Sequence, residues 1–326
     1  YRNYFQEGKE LFARALDSSH QWPDTSAWQN LRGRLLVCLG DFALHLGQYA
    51  EADRLLEQSL TLLHDVPDGT RETALDIAHA MAYLGLVKER QGDYTAAKIM
   101  CQASLDRYRL LNDRSGMTTA LRSIASAAEG LAQYAEAEGL LHESLALSQE
   151  IGNRRESALT LNLLGIVTEM QQRYTEACHY YRQSLQLFSE IGERWGMHLP
   201  LGNLGDVAFT LGNYQDAKSY YCAALKLLWT SWAVPYMLIQ IYRVAAVLAA
   251  EDRAEQAVEL LQLPLHHPAL DQAFRERAEA LNASLTAMLP PDRLAAAKVR
   301  GRGRSLAQVV TAIADLVPSF AHQETY

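Results

Sequence analysis

The chain has 326 residues, 49% of them apolar, with only 19 glycines and 9 prolines, a composition that points to a mostly helical protein with room for two ordinary domains or one elongated array. A net charge of −8 argues against whole-chain nucleic-acid binding, which needs a basic face. The apolar residues come in interrupted stripes and never in a run of about 18, so no membrane-spanning helix is expected, and no charged start with an apolar core and cleavage site marks a secreted chain. Cys38, Cys101, Cys178 and Cys222 stand far apart without a CxxC pair. That spacing fits reduced thiols in a cytoplasmic protein better than a zinc knuckle or a disulfide framework.

In chain order, Tyr4-Phe5 through Leu11, Ala15 and Leu16 reads as the second helix of a truncated repeat over 1–20. The start at Tyr1, inside this helix, points to a piece of a longer chain. Next comes a recurring string, Gly-x-Tyr-x-x-Ala, at Gly47 to Ala52, Gly92 to Ala97 and Gly212 to Ala217, with variants lacking the glycine at Ala132 to Ala137 and Gln172 to Ala177. Its tyrosines fall at 49, 94, 134, 174 and 214, steps of 45, 40, 40 and 40, and a further step of 40 lands on Ala254 with Ala257 behind it. Nine residues before each tyrosine stands a small residue, Gly40, Gly85, Ala125, Gly165 and Gly205, with Ala245 in the sixth copy. Ten after it comes another: Ser59, Ser104, Ser144, Ser184 and Ala224. Small residues at fixed places on two successive helices let their backbones approach, with leucine and tyrosine filling the gaps. A repeated helix hairpin is expected over 30–263.

Behind the sixth copy the register is lost. Leu270, Phe274, Leu281, Leu285 and Met288 form a stripe at helical spacing that suits a capping helix. Pro290-Pro291 stops it, and two shorter helices are expected at about 292–300 and 305–316. Caps therefore occupy 264–316, and 317–326 is expected to be a disordered tail. Arg293, Lys298, Arg300, Arg302 and Arg304 make this end basic. Without interleaved aromatics, they read as a solvated turn or an interdomain contact, so direct nucleic-acid binding is not expected.

The hairpin pattern resembles the tetratricopeptide repeat in a 40-residue form, with about six residues added to the loop between repeats. The resemblance implies an all-α fold: a right-handed α-solenoid of about six tetratricopeptide-type helix hairpins with a C-terminal helical cap. It also implies that the first helices line a concave wall, with groove-facing places six and three residues before the small mark and one, four and five after it. Four after the mark stand Glu89, Glu129 and Glu169, flanked by Leu44 and Phe209. The other columns add Arg122 and Asn162, Ser126 and Asp206, and Arg90. A charged row of this kind is either a solvated face or a ligand contact. As a contact, its closely spaced carboxylates favour a cationic or hydroxyl-rich ligand. The clamp that some tetratricopeptide proteins use for peptide C-termini needs lysine and asparagine here, and only Asn162 and Asn203 approach it.

Two end segments sharpen the resemblance. Gly8-Lys9-Glu10-Leu11-Phe12-Ala13-Arg14-Ala15-Leu16 and Ala297 through Gly301-Arg302-Gly303-Arg304-Ser305-Leu306-Ala307-Gln308-Val309-Val310 are similar to the segments that open and close the tetratricopeptide region of bacterial STAND-class signalling ATPases, including LuxR-type transcriptional regulators. Arg304 and Val309 depart from the second pattern, where an aliphatic residue and alanine are usual. The resemblance implies a sensor region that binds a protein, peptide or small-molecule inducer in the concave groove, with nucleotide-binding and effector domains elsewhere in the full-length chain. The alternative is a free-standing adaptor that bridges proteins through the same groove. No GxxxxGK[ST], HExxH or GxSxG string occurs, so neither an enzyme, a cofactor nor a metal site is expected in this segment.

Overall fold

The computed structural model describes residues 2–21, 23, 25–66, 70–270 and 272–316. The tail read as disordered, 317–326, lies outside the described residues. Sixteen α-helices are present among them and no strand: α1 (Arg2–Ser18), α2 (Ser26–His45), α3 (Tyr49–His64), α4 (Arg71–Arg90), α5 (Tyr94–Leu110), α6 (Arg114–Gly130), α7 (Tyr134–Glu150), α8 (Arg154–Met170), α9 (Tyr174–Glu190), α10 (His198–Thr210), α11 (Tyr214–Thr230), α12 (Val234–Ala250), α13 (Ala254–His266), α14 (Gln272–Met288), α15 (Pro291–Arg302) and α16 (Leu306–Asp315). The chain divides into two compact units, residues 1–177 and 178–326.

Helix pairing follows from the small residues. Gly40, Gly85 and Gly205 are buried, and a Cβ on them would lie only 2.6 Å from Leu56, 2.4 Å from Cys101 and 2.3 Å from Tyr221 respectively. Side chains of the second helix therefore occupy the space that the first leaves open. The alanines three after each tyrosine, Ala52, Ala97, Ala137, Ala177 and Ala217, are all buried, as is Ala257, three after Ala254 in the sixth copy. The serines of the second helix do more than fit. Ser59, Ser104 and Ser144 donate to the carbonyls of Gly33, Ala78 and Thr118 at 2.8, 2.7 and 3.0 Å, each 26 residues back in the chain. A first-helix carbonyl thus gains a second donor in the core, a bond contributing roughly 0.5–1.5 kcal/mol.

Among the described residues, ten of the turns between helices carry one left-handed residue. Gly47, Gly92, Gly152, Gly192 and Gly212 take this conformation, and so do Asn112, Ala132, Gln172, Trp232 and Asp252. The next residue donates five positions back across the helix end, as Gln48 does to Ala43 and Gln133 to Ala128, at 2.9 and 2.8 Å. That bond satisfies a carbonyl that the helix leaves open. Asp93 and Asn153 cap the helices that follow, accepting from the N–H groups of Ala96 and Glu156.

In the first unit, α2, α4, α6 and α8 pack against one another more closely than their partners α3, α5 and α7 do. First helices are crowded and second helices spread, so the first helices form the inner wall of this unit. Second helices are tied along the outer side by Lys9 to Glu51 and by Lys98 to Glu136. Lys9 in α1 plays the part that Lys98 plays in α5.

In the second unit, α10, α12 and α14 form the corresponding inner row. The chain then doubles back: α15 lies along α13, and α16 reaches α11 and α12. The basic stretch is what holds it. Arg293 pairs with Glu255, Arg300 with both Glu255 and Glu259, and Arg304 with Glu259. Glycine at 301 permits the crossing, since a Cβ there would lie 2.3 Å from the Glu259 carbonyl oxygen. A capping box at Ser305 and Gln308 starts α16, which adds Val309, Val310 and Ile313 to the core.

Candidate functional site

Four of the residues read from the sequence meet where α4 and α6 lie side by side on the inner wall of the first unit. Ser126 donates to Glu89 Oε1 at 3.2 Å. Glu129, one turn further along α6, is half-buried, and its carboxyl is raised above the ordinary range by burial and by the charge of Glu89. Arg122, one turn before Ser126, turns toward α8 and pairs with Glu156 at 3.2 Å. Glu156 is well buried and also receives Arg155 at 3.8 Å. Spacing explains the grouping: positions three and four apart share one helix face, so Arg122, Ser126 and Glu129 present a cation, a hydroxyl and a carboxylate along a single stripe.

The remaining residues of the set are placed otherwise. Asn162 lies buried in α8, and Glu169 is half-buried near the end of the same helix. Arg90 is exposed at the last position of α4. Asp206 and Phe209 belong to the second unit. Phe209 packs against the core and against Tyr214, with ring centroids 5.8 Å apart.

Asp206 is partnered by its neighbours. Arg243 of α12 pairs with its Oδ2, and the Tyr221 hydroxyl donates to its Oδ1 at 2.8 Å. Arg243 lies over the rings of Tyr221 and Phe274, 5.7 and 5.8 Å from their centroids. Gly202 makes room for this guanidinium, because a Cβ would sit 2.4 Å from its Nη1. One turn earlier on α10, His198 is sealed between Trp195 and Tyr236. Its Nδ1 donates to the Trp195 carbonyl, and burial, with the nearby Arg243, lowers its pKa to about 4. The inner row of this unit is thus filled by a neutral imidazole, a matched ion pair and aromatic rings.

A further feature of the first unit lies beside the first repeat. Applied to the first repeat, the places six and three before the mark and one after it name Arg34, Val37 and Asp41. All three line a cleft of about 300 Å³ between α1, α2 and α4. Of its other lining residues, His79 stands six before Gly85 in the second repeat, while Phe12, Cys38, Phe42, Asp76 and Tyr83 belong to no column. Among the described residues no group of three or more His, Cys, Asp or Glu could hold a metal ion, and no helix is long and apolar enough to cross a membrane.

Residues 156–228 match the tetratricopeptide repeat family model. No curated protein matches the chain. Solved structures share its fold over most of its length. NprR in complex with its cognate peptide NprX is 16% identical, with a TM-score of 0.58, covering 98% of this chain and 96% of that one. A Rap protein complexed with competence and sporulation factor is 14% identical, with a TM-score of 0.60 and coverage of 90% and 87%. BtubC from P. vanneervenii is 16% identical, with a TM-score of 0.56 and coverage of 70% and 92%. At these identities the likeness is one of fold, a tetratricopeptide-type array of helix hairpins.

Proposed function

We propose that the chain is a sensor region that binds a peptide on the inner wall formed by α2, α4, α6 and α8. The observation that carries this reading is the junction of α4 and α6. Two carboxylates, Glu89 and Glu129, stand close enough for one to raise the pKa of the other, and a donor placed between them relieves that repulsion. Beside them Ser126 donates to Glu89 and Arg122 pairs with Glu156 through its Nε, so a ligand would meet the remaining guanidinium N–H groups and the hydroxyl's lone pairs. A solvated face needs no such half-buried arrangement. The solved complexes of NprR with its cognate peptide NprX and of a Rap protein with competence and sporulation factor support a peptide as the ligand class.

The resemblance of the two end segments to STAND-class regulators supports a setting in which nucleotide-binding and effector domains share the full-length chain. In that setting a ligand acts only by preferring one arrangement of the array over another. A peptide array probed with the chain tests the binding, followed by titration of its strongest binder. The double substitution Glu89→Gln with Glu129→Gln should weaken that binder by about three- to tenfold and leave the melting temperature unchanged. Undiminished affinity contradicts the reading. The same binder added to the full-length chain should alter its nucleotide turnover; unaltered turnover with intact binding favours the free-standing adaptor.

A further inference from the structure

The cleft between α1, α2 and α4 differs from the α4–α6 junction in having aromatic walls. On α2 its lining falls at Arg34, Val37, Cys38, Asp41 and Phe42, and on α4 at Asp76, His79 and Tyr83, helical steps that put one face of each helix toward the opening. Phe12 comes from α1, which approaches closely at Gly8, where a Cβ would lie 2.8 Å from the Phe42 ring. Phe12 and Phe42 meet edge to face with centroids 5.4 Å apart. At about 300 Å³ the opening is at the small end for a ligand pocket, a size for one side chain and not for an extended molecule.

Its charge is unbalanced. Asp76 Oδ2 is buried with no hydrogen-bond donor, and its nearest cation, the Arg34 Nε, stands 3.5 Å away on a half-exposed side chain. Asp41 Oδ1 lies 3.1 Å from His45 Nδ1, but that imidazole nitrogen also reaches the Asp41 carbonyl at 3.0 Å, so one N–H serves two acceptors. Neighbouring groups register the excess. Burial and the charge of Asp41 push the Tyr83 phenol up to about 12, and burial with Asp41 and Asp76 raises the Cys38 thiol. A cation entering here meets two carboxylates in need of donors and aromatic faces that attract it. A bare divalent ion would need more oxygen ligands than the two carboxylates offer.

We propose that this cleft anchors the guanidinium or ammonium group of an organic cation with an apolar stem, as an arginine or lysine side chain of a bound peptide presents it. Asp41 and Asp76 are the counter-charges, and Phe12, Phe42 and Tyr83 surround the stem. The proposal rests on the reading that the inner wall of the first unit binds a peptide, and it adds which side chain is held and where.

Cys38 in the wall provides a local readout. The whole chain is alkylated with N-ethylmaleimide and the rate at Cys38 is followed by mass spectrometry, with Cys178, in the second unit, as internal control. N-acetyl-arginine methylamide at millimolar concentration should slow Cys38 by at least about threefold and leave Cys178 unaffected. The citrulline analogue, equal in shape but uncharged, should not protect. Protection should vanish in Asp41→Asn with Asp76→Asn and survive in Asp76→Glu; if the double variant melts early, each single variant should still reduce protection. Equal protection by the citrulline analogue, or protection that persists in the asparagine variants, overturns the proposal. Ethylguanidinium protecting as well as the arginine amide overturns the peptide as source and assigns the site to small free organic cations. Peptide-array binders that depend on Glu89 and Glu129 but on neither aspartate overturn this cleft while leaving the peptide reading standing. An array without binders fails the peptide reading and leaves the amide experiment to decide the cleft.

Discussion

The two units build their inner rows on the same repeat and fill them in opposite ways. In the second, Asp206 has a guanidinium and a phenol to itself, and His198 is held neutral between the rings of Trp195 and Tyr236. In the first, Glu89 faces Glu129, and Asp41 and Asp76 share a cleft with donors too few for their oxygens. The second row leaves the His198 Nε2 and the Gln240 Oε1 without partners but pairs its Asp206 carboxylate; the first has negative charge to offer. Repeat architecture therefore does not make a binding surface on its own. What decides is whether the residues at the inner positions complement one another across adjacent helices.

The most damaging way to test the filled row is Gly205→Leu. Any side chain there collides with Tyr221, the donor to Asp206, so unfolding in urea should show a loss of about 3 kcal/mol. Acid should attack the same unit. His198 has a folded pKa of about 4 against an ordinary 6.5. The unfolded chain therefore binds the proton first, and stability present above pH 6.5 is lost as the pH falls toward 4. The loss is on the order of 3 kcal/mol, and His198→Phe should flatten that part of the pH profile. A direct contrast comes from two isosteric changes. Asp206→Asn, which strips Arg243 of its counter-charge, should destabilise by about 1–2 kcal/mol. Glu129→Gln, which removes a repulsion, should change stability by less than about 0.5 kcal/mol. Equal effects would erase the distinction between the rows. One expected change is a gain: Ala132 holds a left-handed turn without being glycine, so Ala132→Gly should stabilise by about 0.5–1 kcal/mol, read as a rise in melting temperature.

The spacing of tyrosines and small residues makes the hairpin array legible before any coordinates, because a 40-residue period with buried glycine and alanine at fixed places leaves one way for the helices to meet. It says less about the inner face. Ser59, Ser104 and Ser144 read as small residues, while their hydrogen bonds to carbonyls 26 residues earlier needed the packed hairpin to appear. Asp206 and Glu129 occupy neighbouring columns of one pattern, and nothing in the pattern tells a satisfied carboxylate from an unsatisfied one. That difference depends on Arg243 and Tyr221, which approach from other helices. The basic stretch at 293–304 likewise found its acidic partners on α13, where only the doubling back of the chain brings them together.

Amide hydrogen exchange of the chain with and without the strongest array-selected peptide tests most directly whether the unsatisfied inner row is the binding surface. Protection should appear along α2, α4, α6 and α8, and leave α10 and α12 at their unliganded rates. Protection confined to α10 and α12, or absent from the first unit at saturating peptide, would contradict the account.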